Sequence, residues 1–196
     1  MKYLSFDLEA TGLRENDLII EFACVPFCTA EKKVHKELYF HTFIHCPSFD
    51  ILKPNLDPWV IDNNEELIRK ANTTGLKLDM FKKQFDAYLS SEKVKSYFDN
   101  QKITLFGKSM AAIDLPFMNR DLGWEWMRER FEHRQLDLSS VAYNLIDLGF
   151  LPEKCKSGSE LMKELGFGEV AHTALEDAIN TALMYIKILE KFSKEN

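Results

Sequence analysis

The first 44 residues constrain the fold most, because they hold three strand-like apolar runs joined by links too short to cross a sheet. Lys2 to Leu8 is an aromatic-rich run closed by Ala10-Thr11-Gly12, and Leu18 to Phe27 is a second, reached through Arg14-Glu15-Asn16-Asp17. Val34 to Ile44 is a third, behind Thr29-Ala30-Glu31-Lys32. Apolar, aromatic and β-branched runs of this length read as strands. Connections this short favour antiparallel neighbours.

Downstream the period changes. Cys46 to Pro58 carries three prolines and no clear repeat, and reads as a surface connection. Helical spacing follows over Glu65 to Ala71 and over Leu78 to Tyr97, where Leu78, Phe81, Phe85, Tyr88 and Leu89 share one stripe. Ile103 to Gly107 is a strand, Asp114 to Leu122 a helix with Pro116 in its first turn, and His133 to Asp137 a short strand. Helices are then expected at Leu138 to Leu148, Ser159 to Leu165 and Ala174 to Phe192. Strands first and alternation afterwards predict an α/β domain with a mixed five-stranded sheet, its first three strands antiparallel, flanked by helices. At 196 residues, with 45% apolar residues and 15 phenylalanines, the chain can bury one sizeable core but not two, so residues 1–196 are expected to form one domain.

Charge and composition exclude some functions. A net charge of -6 argues against coating nucleic acid by bulk electrostatics. It still permits an enzyme that holds one strand end in a cleft where bound cations reverse the local sign. No apolar run approaches ~20 residues, and Asp7 interrupts any signal-peptide core. Cytoplasmic residence is therefore expected, with Cys24, Cys28, Cys46 and Cys155 as reduced thiols. Zinc is a poor fit, since Cys24 and Cys28 sit on a strand, ~13 Å apart.

Three acidic patterns carry the chemistry. Asp7 and Glu9 lie two apart on one strand, hence on one face, ~7 Å apart along the chain. Paired acids ending an apolar strand are costly unless water or cations meet them; the bland alternative is the start of a solvated turn. Thr173-Ala174-Leu175-Glu176 has the form of a capping box, with Thr173 as N-cap. That places His172 just before the cap and Asp177 at the fourth helical residue, two positions that meet across a helix start. Ala178, Ala182, Tyr185, Ile186 and Leu189 behind them form the docking stripe. Asp114 opens a helix, where an isolated Asp is most often an N-cap. Together, four carboxylates and one imidazole at the edges of strong apolar elements are the donors that a two-metal phosphodiester-cleaving site requires.

These motifs resemble the DEDDh 3′-to-5′ exonucleases of the ribonuclease-H-like superfamily, the group of the DNA polymerase III proofreading subunit, RNase T and oligoribonuclease. Phe6-Asp7-Leu8-Glu9-Ala10-Thr11-Gly12-Leu13 is similar to the family's opening Asp-x-Glu-x-Thr-Gly. Ala112-Ile113-Asp114-Leu115-Pro116-Phe117-Met118 is similar to its Phe-Asp-x-x-Phe-Leu, and His172-Thr173-Ala174-Leu175-Glu176-Asp177-Ala178 to its His-x-Ala-x-x-Asp-Ala. The resemblance covers residues 2 to about 190. It implies that Asp7, Glu9, Asp114 and Asp177 hold two Mg²⁺ or Mn²⁺ ions, with Glu9 and His172 in the catalytic roles and His172 as general base. It further implies that Leu8, Thr11, Gly12 and Leu13 contact the terminal nucleotide, Leu13 as a wedge against a base or, equally, as plain core. One departure stands out: the family commonly has Asn four residues before the middle Asp, and here that position is Met110.

The expected activity is metal-dependent release of 5′-mononucleotides from the 3′ ends of single-stranded DNA or RNA, with a polymerase or a second copy as a possible partner. A dedicated oligoribonuclease, faintly suggested by Trp59, Ile61 and Gly75-Leu76, is one alternative. A non-catalytic polymerase-associated or nucleotide-binding module is another. Phe49, Trp59, Phe117, Trp124 and Trp126 are candidate base-stacking surfaces.

Overall fold

A computed structural model describes residues 1–168 and 173–192. The strands are β1 (Lys2–Ala10), β2 (Ile19–Cys28), β3 (Lys33–Val34), β4 (Phe40–Phe43), β5 (Leu105–Gly107) and β6 (Leu136–Asp137). Among the described residues they form one six-stranded mixed sheet, ordered β3-β2-β1-β5-β6, with β4 also paired to β2. β1 runs antiparallel to β2, and β2 antiparallel to β3 and β4. β5 lies parallel to β1 on its other side, and β6 parallel to β5.

The one extra strand has a geometric cause. Val34 pairs with Phe27 and Phe40 with Cys24, so six steps along the third run face three along β2. The surplus is taken up in a 3₁₀ turn, Lys36–Leu38, which splits the expected strand in two.

The helices are α1 (Phe49–Leu52), α2 (Pro58–Thr74), α3 (Leu78–Ser90), α4 (Glu92–Tyr97), α5 (Asp114–Leu122), α6 (Trp124–Arg130), α7 (Leu138–Asp147), α8 (Gly158–Glu164) and α9 (Ala174–Phe192). α2 starts seven residues before its expected beginning: Asp57 accepts the Trp59 N–H at 2.9 Å and Pro58 occupies the first turn, a strong start signal. The expected helix from Leu78 to Tyr97 breaks at Ser91, whose hydroxyl caps α4 by accepting from the Val94 N–H. Gly123, with φ +95°, separates α5 from α6, a helix the periodicity did not reveal. Part of the connection from Cys46 to Pro58 is likewise structured, as α1 and a 3₁₀ turn over Lys53–Asn55.

Side-chain alternation along β1 builds the two sides of the molecule. Leu4, Phe6 and Leu8 point into a core with Phe22, Phe81, Phe85, Leu115 and Met118. Tyr3 points the other way, into a second core with Phe27, Phe106, Leu138, Leu161 and Met184. A third cluster, of Ile20, Cys46, Phe49, Val60, Ile68 and Ala71, seats α2 beside the sheet. The residues that continue the Tyr3 face are Ser5, Asp7 and Glu9, and α9 packs over them. Small residues at α9's contact face (Ala174, Ala178 and Ala182, all fully buried) let it approach closely, close enough for the buried Ser5 hydroxyl to donate to the Ala178 carbonyl at 2.7 Å.

Phe22 lies at the centre of the first core, its ring 4.8 Å from Phe85, 5.3 Å from Phe81 and 6.3 Å from Phe6. Phe22→Ala is expected to cost about 3–5 kcal/mol of stability, read as a lower midpoint in urea unfolding at unchanged slope.

Candidate active site

The acidic residues arrive from three elements. Asp7 and Glu9 stand on the α9-facing side of β1, Asp114 begins α5, and Asp177 sits in the first turn of α9. One carboxylate oxygen from each of Asp7, Glu9 and Asp177 lies within 4.8 Å of the other two. Asp114, only 5% exposed, lines the same cleft, whose volume is about 650 Å³. That is a normal size for a small-molecule site. Leu8, Thr11, Gly12 and Leu13 line it too, as do Trp59 and Asn64 from α2. The sequence-predicted acids thus converge. His172 lies outside the described residues.

Burial and mutual repulsion strain these acids toward their protonated forms. The Asp7 carboxyl is pushed well above the usual range by burial first, then by the charges of Asp114, Asp177 and Glu9. Glu9 is raised to about 7 by burial and by Asp177, Glu21 and Asp114. Asp114 is raised to about 7 chiefly by burial, although its own backbone amide and that of Leu8 oppose the shift. The ammonium of Lys108 partly offsets the rise in all three. Hard divalent cations favour carboxylate oxygens, and a buried group of acids short of positive charge fits such ions.

α9 is held in place by groups that sequence reasoning missed. Glu21 on β2 is 1% exposed and pairs across the sheet with Glu9. Its carboxylate accepts the Ala174 N–H at 3.3 Å and meets His41 Nε2 at 2.6 Å. The signal was a lone acid inside the apolar run Leu18 to Phe27. At the helix start the Glu176 N–H donates to the Thr173 hydroxyl at 3.4 Å, as the capping motif requires.

The turn after β1 is equally fixed. The Thr11 hydroxyl accepts the Leu18 N–H at 2.9 Å and donates to Asp17 at 3.2 Å, so it is committed to the turn while the residue still walls the cleft. A Cβ at Gly12 would run into the Asp17 carboxylate, itself fixed by the Arg14 N–H at 2.7 Å. Leu13 is 74% exposed in the cleft lining rather than in the core, and Trp59, in the same lining, is 56% exposed. Of the other candidate stacking rings, Phe49 and Phe117 are buried. Trp124 and Trp126 lie off this cleft. Met110 is 1% exposed and packed in the first core, so its side chain does not face the cleft. The side chain of Asn64, 6% exposed, lines the cleft without a hydrogen-bond partner among the described residues. All four cysteines are free and buried. Among the described residues no helix is long and apolar enough to cross a membrane.

Two outcomes follow from this electrostatics. Carboxyls raised in the folded state stabilise it at low pH, and that stabilisation is lost as pH climbs through the folded values. For Glu9 and Asp114 the window runs from 4.5 and 3.8 up to about 7. The Tm of the metal-free protein should therefore fall across that window, and the Tm gain from added Mn²⁺ should grow with pH, as followed by thermal unfolding in matched buffers. Glu21→Ala should cost about 1–3 kcal/mol by leaving the Ala174 N–H and His41 without their acceptor, and should weaken Mn²⁺ binding in a calorimetric titration. Glu21→Gln, which keeps an acceptor oxygen, should restore most of both.

A scan against protein-family models finds no match, and neither does a search of curated proteins. Solved structures do match. Cell-death related nuclease 4 (CRN-4) superposes with a TM-score of 0.72 at 16% identity, over 97% of this chain and 64% of that one. The nuclease domain of 3′hExo, a DEDDh family member bound to rAMP, superposes with 0.64 at 15% identity, over 97% and 92%. A metal-free E. coli ExoI–ssDNA complex gives 0.68 at 18% identity, over 98% of this chain and 40% of that one. This chain thus spans under two thirds of CRN-4 and less than half of ExoI, but nearly all of the 3′hExo nuclease domain. It has the ribonuclease-H-like fold of the DEDDh exonucleases.

Proposed function

We propose that the protein is a divalent-metal-dependent 3′-to-5′ exonuclease, hydrolysing the terminal phosphodiester of single-stranded nucleic acid and releasing 5′-mononucleotides. The observation that carries this reading is the convergence of Asp7, Glu9, Asp114 and Asp177 from three separate segments into one cleft. Nuclease neighbours of the same fold support it: 3′hExo was captured with rAMP and ExoI with single-stranded DNA.

The four carboxylates would hold two Mg²⁺ or Mn²⁺ ions. When bound, such ions supply the positive charge that makes a water acidic and steadies a departing alkoxide. His172, a few residues before Asp177, accepts the proton of the attacking water as its oxygen bonds to phosphorus. The bond from phosphorus to the 3′ oxygen of the preceding nucleotide then breaks, leaving the phosphate on the 5′ side of the released nucleotide. An imidazole suits this role because its ordinary pKa lies near neutrality. Leu13 and Trp59, both exposed and both lining the cleft, supply apolar surface to the terminal base. The exposed Trp59 ring in the cleft also favours, as a second reading, activity on very short RNA. A purely binding module is disfavoured, because all four carboxylates are present in the cleft.

Single-stranded DNA and RNA from dinucleotide to 20-mer, labelled at either end and digested with Mg²⁺ or Mn²⁺, test the proposal. 5′-labelled strands should shorten stepwise, 3′-labelled ones should release a mononucleotide at once, and EDTA should stop both. Asp7→Asn and Asp177→Asn should each reduce kcat by at least ~10²-fold, and His172→Ala by ~10²–10⁴-fold. Wild-type activity retained in the Asp7 or Asp177 variant contradicts the proposal, and activity undiminished on long strands contradicts the short-RNA reading.

A further inference from the structure

Lys108 follows directly on β5 and lines the cleft beside Asp7, Glu9, Asp114 and Asp177. Several features of the surrounding chain fix it there. Ser109 takes φ +56°, a left-handed conformation that costs a non-glycine residue free energy and persists only where the surroundings enforce it. They do so through Asp137, whose carboxylate accepts the Ser109 N–H at 3.1 Å, the Met110 N–H at 2.9 Å and the Ser139 N–H at 2.8 Å. The Ser109 and Ser139 hydroxyls share a further bond of 2.8 Å. Gly158 opens α8 where a Cβ would stand only 3.0 Å from Lys108 Nζ and 3.2 Å from its Cδ. Its missing side chain leaves the lysine a slot.

Despite facing an acidic cluster, Lys108 closes no ion pair within 4 Å and makes no hydrogen bond among the described residues. Its field nevertheless reaches the acids, since it lowers the carboxyls of Asp7, Glu9 and Asp114. A cation built into the wall of an acidic cleft and kept apart from the acids leaves a gap between the two. The group that fits there, with cations on the carboxylates, is an anion held from both sides.

We propose that Lys108, set by the Ser109 corner and the Gly158 slot, grips the phosphate of the terminal nucleotide through a non-bridging oxygen. This inference rests on the exonuclease reading and assigns it a residue that touches substrate. The backbone corner between β5 and α5 thus supplies a cation to the cleft, while Met110 within the same corner is committed to the core. The ammonium acts as a charged donor and no proton transfer is required of it.

Lys108→Met and Lys108→Arg test the assignment. By calorimetry in Mn²⁺, Lys108→Met should bind adenosine 5′-monophosphate about 10- to 100-fold more weakly than wild type. Affinity for adenosine, which lacks the phosphate, should be unchanged, and Mn²⁺ affinity alone should not fall. For cleavage of a labelled strand, kcat/KM should fall by a similar factor and its logarithmic dependence on salt should flatten by about one. Lys108→Arg should recover most of each loss. Unchanged 5′-monophosphate affinity together with an unchanged salt slope in a folded Lys108→Met protein would overturn the proposal. Failure of the wild type to cleave any strand would refute the exonuclease reading instead, and the mononucleotide titration would still decide the role of Lys108.

Discussion

Four like charges in one cleft repel, and the rest of the structure is arranged to hold them together. Burial pushes Asp114 to about 7, burial and the neighbouring charges push Glu9 to about 7, and both hold Asp7 well above its usual range, so without cations the cluster weakens the fold near neutral pH. The sheet and its helices must resist that repulsion. Alternation along β1 sends Leu4, Phe6 and Leu8 into one core and leaves Ser5, Asp7 and Glu9 under α9. The Ser5 hydroxyl and the Glu21 carboxylate each hold α9's backbone against the sheet, at Ala178 and Ala174. The helix cannot then relieve the repulsion on Asp177 by lifting away. An arrangement of this kind is expected to find its counter-charge in divalent cations, at the cost of stability when they are absent.

The same cleft also carries a charge of the opposite sign. Lys108 is the cation in the cleft nearest in sequence to the middle acid, and its corner is over-determined by Asp137. Asp137 also caps α7. One carboxylate outside the cleft thereby ties β6, α7 and the Ser109 corner into one unit. Trp59 owes its place to the third cluster, which seats α2 by Val60, Ile68 and Ala71. The cleft is therefore assembled from all three cores.

Much of this was legible in residue order. Asp7 and Glu9 share a face because a strand repeats every two residues, and the bounds of α5 and α9 coincide with those expected from their apolar spacing. What escaped was decided by tertiary context. The third strand splits because residues 35–39 stand opposite only two residues of β2, a surplus that no local pattern reveals. Ser91 ends α3 by capping the start of α4, although helical spacing runs on to Tyr97. The early start of α2 at Asp57-Pro58 carries a legible cap signal, masked by the prolines around it, which equally mark a connection. Glu21 and Lys108 were overlooked for a different reason: each is a single charge, and its meaning lies in what the fold brings beside it. His172 sits in a segment outside the described residues, and its place beside Asp177 stays a sequence expectation.

Crystals soaked with Mn²⁺ and measured for anomalous scattering would test the central claim most directly. The account predicts two manganese peaks within about 4 Å of each other, coordinated by Asp7, Glu9, Asp114 and Asp177. Peaks elsewhere on the surface, or none in this cleft at saturating Mn²⁺ and pH 8, would contradict it.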